Sequence, residues 1–191
     1  MMNSSSISKF LFWLILSVFS GTSLLISAVY LYLTPQLPNI QSLTQIELQI
    51  PLRIYTEDGQ LISEFGEQRR RPLEYNEIPQ QFVHALIAAE DDRYFQHNGV
   101  DLKGLTRAVL QLIKTGKKKS GGSTITMQVA KNYYLSSEKT FSRKFTEILL
   151  ALKIEQELSK EEILELYLNK IYLGKRAYGI EAAAQVYYGL S

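Results

Sequence analysis

Cysteine is absent from the 191-residue chain. That excludes a disulfide framework, a thiolate metal site and a cysteine nucleophile, so any catalyst here is built from oxygen and nitrogen groups. Five prolines and eleven glycines are too few for a collagen-like or low-complexity chain. Charge of one sign is also lacking overall, with 21 basic residues against 19 acidic ones and a net charge of +2. Together with a 46% hydrophobic content, that balance excludes an intrinsically disordered protein.

The apolar residues are unevenly placed. From Phe10 to Leu33 no charged residue occurs, which is enough helix to cross a hydrocarbon core of about 30 Å. A cleaved signal peptide is the competing reading, but its apolar core runs only about 7–15 residues and no small-x-small site follows Leu33. Lys9 flanks the N-terminal end and no charge follows until Glu47, so the basic-flank rule puts the N-terminus in the cytoplasm and the rest of the chain outside. The expected organisation is a cytoplasmic tail over 1–9, a transmembrane anchor over 10–33, a proline-containing linker over 34–50 and one domain over 51–191.

Within that domain, residues 52–56 and 61–65 flank an Asp58-Gly59 pair and predict a β-hairpin. Beyond Pro72 the periodicity is helical, without strand-like alternation. Phe82, Val83, Leu86 and Ile87 predict one core-facing helix leading into Glu90-Asp91-Asp92. Leu102, Leu105, Val109, Leu112 and Ile113 predict a second core-facing helix, capped by Asp101. Gly121 to Thr124 opens a third and Phe141 to Leu158 forms a fourth. Ser159 to Glu162 is a capping box opening a fifth through Tyr167, and a short helix runs from Gly179 to Tyr188.

Charge is segregated as well. Between 101 and 153 there are eleven basic residues and three acidic ones, Lys117, Lys118 and Lys119 among them. A local balance of +8 implies an anionic partner, and membrane phosphates or a lipid diphosphate suit an anchored domain better than nucleic acid, for which no motif is present.

Three groups of residues carry candidate chemistry. Glu90, with Asp91 and Asp92 beside it and Phe95 and His97 beyond, stands where a helix leaves the core. Desolvation and neighbouring negative charge favour proton transfer there, although an ordinary surface acidic cluster has the same spacing. On the fourth helix, Phe141, Phe145, Ile148, Leu149 and Leu152 fall on one side while Arg143, Lys144 and Glu147 fall opposite. That pattern suits electrostatic stabilisation, or simply an exposed i,i+4 pair contributing a few tenths of a kcal/mol. Residues 121–132, with Ser123, Thr124, Thr126, Gln128, Lys131 and Asn132, form a glycine-led polar helix start able to meet phosphate or sugar oxygens.

Taken in order, residues 89–99, 121–132, 143–147, 160–169 and 176–179 resemble glycosyltransferase family 51, the peptidoglycan glycosyltransferases, and in particular the bifunctional class A penicillin-binding proteins of the 1a type. The similarity runs from about Arg53 to Gly189. It implies a mainly α, lysozyme-like glycosyltransferase domain, incomplete at the C-terminus, with an N-terminal transmembrane helix and a small β-hairpin. By the resemblance Glu90 is the general base and Glu147 the second essential carboxylate. Asp91, Phe95, His97, Ser123, Thr124, Thr126, Gln128, Lys131, Asn132, Arg143 and Lys144 are implied to bind substrate. Met127 stands where many relatives carry Gln, leaving the hydrogen bonding to Gln128.

The implied reaction polymerises lipid II into glycan strands by one inverting displacement that releases undecaprenyl diphosphate. Implied partners are lipid II, the growing glycan chain, membrane lipids and other cell-wall synthesis proteins. The resemblance implies no definite cofactor, with a divalent cation, Mg or Mn, as the candidate that would assist with the diphosphate. The implied location is the bacterial cytoplasmic membrane, single-pass, with the catalytic domain periplasmic or extracellular. A muramidase-like hydrolase and a catalytically inactive tethered fragment are the alternatives, since the chain is expected to end before the whole glycosyltransferase domain and before any transpeptidase domain.

Overall fold

The computed structural model describes residues 4–40, 43, 52–65, 72–117, 121–135 and 140–189. Lys118, Lys119, most of the 34–50 linker and Leu190-Ser191 lie outside them. The chain divides into two units, Met1–Pro38 and Asn39–Ser191.

The first unit is one helix, α1, Ser4–Leu33, with an apolar span over Ser8–Gln36 of mean hydropathy 2.0. At 1.5 Å per residue its 30 residues extend about 45 Å. Some hydroxyl side chains in and just after it turn back on the helix backbone. Ser17 donates to Leu14 O (2.9 Å), Thr22 to Phe19 O (3.0 Å) and Thr34 to Tyr30 O (2.6 Å), as a hydrocarbon setting demands of polar groups. The α-helix ends at Leu33, before Pro35, and Thr34–Gln36 form a 3-10 turn. Proline is tolerated at the first positions of a turn, where no N–H is needed.

The second unit begins with an antiparallel hairpin of β1, Leu52–Tyr55, and β2, Leu61–Phe65, in which Leu52 pairs with Phe65 and Ile54 with Ser63. Gly59 turns it with φ of +82°, a value few other residues adopt.

Among the described residues six α-helices follow: α2 (Gln80–Glu90), α3 (Leu102–Thr115), α4 (Ile125–Tyr134), α5 (Phe141–Glu157), α6 (Lys160–Lys170) and α7 (Ile180–Tyr188). Local chemistry starts several of them. Thr124 accepts the Met127 N–H, Thr140 accepts the Arg143 N–H, and Ser159 and Glu162 form the expected capping box. Helix α4 is the hub. Its Ile125, Met127, Val129 and Ala130 are fully buried, packed between α5 with Leu150, Ala151 and Ile154 and α6 with Ile163, Leu164 and Leu168. Met127 therefore belongs to the core, and only Gln128 of the pair faces the polar side. The Asn169 side chain holds the chain before α2, accepting the Leu73 N–H (2.9 Å) and donating to Leu73 O (2.8 Å).

Three expectations are corrected. Helix α3 does not face the core: Gly104 is its buried residue, while Leu102, Val109, Leu110, Leu112 and Ile113 are exposed. Periodicity reports an apolar stripe, but not whether a partner covers it. Helix α5 is rotated relative to the sequence expectation. Its buried stripe is Glu147, Leu150, Ala151 and Ile154, whereas Phe145 is 49% exposed and Leu152 39%. Those buried positions are spaced three and four apart, and the inward charge of Glu147 is tolerated because two cations accompany it. Lastly, Tyr172 and Tyr178 form an isolated antiparallel bridge where the sequence predicts no strand pairing.

Candidate active site

Two carboxylates anchor the candidate site, and the start of α4 connects them. Glu90 is the last residue of α2 and is exposed. Gln128, one turn into α4, donates its Nε2 hydrogen to Glu90 Oε2 at 3.1 Å. Behind Gln128 stands buried Tyr167 of α6, whose hydroxyl lies 3.5 Å from Gln128 Oε1. Burial first, and the Glu90 charge second, push the Tyr167 phenol up to about 12.

Asp91 leaves the helix with an extended backbone and turns inward. Its carboxylate accepts the Ile125 N–H at 3.0 Å, satisfying a free amide at the start of α4. It also holds His97 Nε2 at 3.0 Å. Both side chains are buried, so their geometry offers positioning of α4 against Glu90 rather than direct contact with a ligand. Thr124 and Thr126 likewise use their hydroxyls internally, donating to Gly99 O (2.6 Å) and Glu155 Oε1 (2.5 Å). Gly99 has φ of +84°, and a Cβ there would meet Ala151 O at 2.6 Å, so glycine is what lets this loop lie against α5.

Glu147 occupies the other end. Arg143 Nη1 donates to its Oε2 at 2.9 Å, and Lys144 Nζ to its Oε1. Lys144 also donates to Ser123 Oγ at 2.7 Å, so the same cation joins α5 to the glycine turn before α4. The carboxylate is 3% exposed while Arg143 and Lys144 are 19% and 36% exposed, so leaving the buried charge with one cation costs about 3 kcal/mol, the lower end for a buried pair. With two cations and one anion, the cluster presents a net positive charge. Lys131, Asn132 and Phe95 are exposed and available to a ligand.

The sequence reading missed a second buried network. Glu155 of α5 accepts from Thr126 and from Lys160 Nζ (2.7 Å), and Lys160 also donates to His97 O (2.8 Å). The ammonium sits 4.3 Å over the Tyr94 ring, and Tyr94 donates to Lys160 O (2.8 Å). Burial and the Glu155 charge push the Tyr94 phenol well above its usual value. Arg93 pairs with Asp101 at the start of α3. There, partial burial acts upward, but the Gly104 N–H and the Arg93 guanidinium hold the Asp101 carboxyl below its usual value. Lys160 was legible as part of a capping box and of the 160–169 motif, and nothing local in the sequence marks Glu155 as its partner. Among the described residues no group of three or more His, Asp or Glu side chains is placed to hold a metal ion.

A family model described as Transglycosylase matches residues 58–191. Penicillin-binding protein 1A of Pseudomonas aeruginosa is 62% identical over 181 residues, which is 95% of this chain and 22% of that protein. The protein of the same name from Escherichia coli is 52% identical over 164 residues, 86% of this chain and 19% of that protein. A crystal structure of penicillin-binding protein 1A from Haemophilus influenzae aligns with 76% of this chain and 12% of that chain at 32% identity, with a TM-score of 0.32. The chain thus spans about a fifth of the length of the relatives it matches.

Proposed function

The chain belongs to the transglycosylase family, and from that premise we propose that its helical unit polymerises lipid II into peptidoglycan glycan strands with release of undecaprenyl diphosphate. The observation that carries this reading is the unequal treatment of two glutamates. Glu90 is exposed and oriented by one neutral donor, as a proton acceptor must be, while Glu147 is buried between two cations.

In the proposed reaction Glu90 takes the proton from the 4-hydroxyl of the incoming lipid II sugar. That oxygen forms a bond to the anomeric carbon of the growing chain as the bond to the diphosphate oxygen breaks and its electron pair leaves with the diphosphate. The configuration inverts in one step, so no nucleophilic side chain is needed. Lys131 and the Arg143–Lys144 pair would offset the negative charge that develops on the leaving group. A divalent cation would be held mainly by the diphosphate and its own waters. A hydrolase has no use for such a cationic cluster beside its second carboxylate.

The membrane reading has its own support. Helix α1 is long and apolar enough to span a bilayer, and the Lys9 flank favours a cytoplasmic N-terminus. An open groove along α3 combines Leu102 and Leu110 with Lys103, Arg107 and Lys114, a mixture suited to lipid phosphates above acyl chains. Protease added to intact spheroplasts should degrade the helical unit; protection of that unit with cleavage of the N-terminus would overturn this topology.

The activity is tested by incubating the detergent-solubilised protein with fluorescent lipid II and resolving glycan strands by length. Strands should form, and Lys131→Ala should weaken lipid II binding without changing thermal stability. Absence of strands with bound lipid II would favour the inactive, tethered alternative.

A further inference from the structure

We propose that Tyr167 is a positioning residue for Glu90, acting through the side-chain amide of Gln128; this rests on reading Glu90 as the proton acceptor. Tyr167 is 1% exposed on α6, at the interface with α4. Its phenol keeps its proton throughout the physiological range, so the hydroxyl is a donor in search of an acceptor. The acceptor it faces is Gln128 Oε1, at 3.5 Å, a long contact that a small movement of either side chain would close. A buried hydroxyl without a partner is costly, which commits the amide oxygen to the tyrosine side.

The consequence falls on Glu90. A primary amide has nearly the same shape when turned by 180°, and nothing in its packing chooses between the two orientations. Here both neighbours choose the same one: the phenol requires the oxygen, and the carboxylate requires the NH2 group, which it receives at 3.1 Å. The reverse orientation would set an amide oxygen against a carboxylate. Glu90, exposed at the last turn of α2, has rotamers of similar energy available to it, and the Gln128 bond selects among them. Tyr167 therefore governs how often the carboxylate faces an acceptor hydroxyl, without touching substrate. A tyrosine serving only to fill space between α4 and α6 would do so equally well as phenylalanine.

Tyr167→Phe in the whole detergent-solubilised protein separates the two roles. Positioning predicts a melting temperature close to wild type, a KM for lipid II within about twofold and a kcat lowered about threefold to tenfold. Because the effect runs through the amide, Tyr167→Phe should lower kcat no further in a Gln128→Leu background. Unchanged kcat, equal losses in both backgrounds, or a fall in melting temperature that accompanies parallel changes in kcat and KM would each overturn the proposal. Wild-type turnover by Glu90→Gln would instead overturn the proton-acceptor reading, whatever Tyr167→Phe does.

Discussion

Helices α2 and α5 carry the same functional group in opposite surroundings. At the end of α2, Glu90 is open to solvent, with one neutral hydrogen-bond donor. On α5, Glu147 is enclosed, with an arginine and a lysine on its two oxygens and a serine tied in through the lysine. A carboxylate that must accept a proton has to be reachable, whereas one that holds cations in place has to be fixed and ionised. Burial, rather than the mere presence of an acidic residue in a motif, is what distinguishes the two roles proposed for them.

The comparison breaks most visibly at Arg143. Arg143→Ala leaves Glu147 buried with one cation and should destabilise the helical unit by about 3 kcal/mol, seen as a drop of several degrees in melting temperature. An unchanged melting temperature would mean that Glu147 behaves as a surface pair after all. A smaller effect concerns alkaline stability. The folded-state pKa of Tyr167 lies above its unfolded value of 10.0, so the folded state binds the proton longer, and stability should fall as pH rises from 10 towards about 12. Part of that alkaline loss should vanish in Tyr167→Phe when denaturation is followed across this window. The smallest effect sharpens the orientation of α5. Phe145, which its spacing assigned to the core, is half exposed, so Phe145→Ala should cost less than about 1 kcal/mol, against about 3–5 for a buried phenylalanine. A loss in the larger range would restore the inward orientation of Phe145.

Helices α4 and α6 and the hairpin were legible because local chemistry sets them: the Ser159–Glu162 box, the Thr124 cap and the Asp58-Gly59 turn each act within a few residues. What α3 and α5 bury was not legible, since burial depends on partners distant in the chain. Glu147 illustrates this. Its spacing from Arg143 and Lys144 predicts an ion cluster, but only the packing of α4 and α5 reveals that the cluster is enclosed. Motif resemblance brought Glu90, Gln128 and Glu147 to notice, yet it grouped Asp91 and His97 with the ligand contacts, whereas they are buried against each other and against the start of α4. The Glu155–Lys160 network escaped notice because its members matter through Thr126 and His97, contacts formed only in the folded chain.

The division of labour between the two glutamates is tested most directly by Glu90→Gln, with lipid II binding and strand formation measured on the same detergent-solubilised protein. The substitution retains size and hydrogen bonding at an exposed position, so binding and melting temperature should match wild type while turnover falls about 10²–10⁴-fold. Strand formation at the wild-type rate, or loss of lipid II binding together with turnover, would contradict the account.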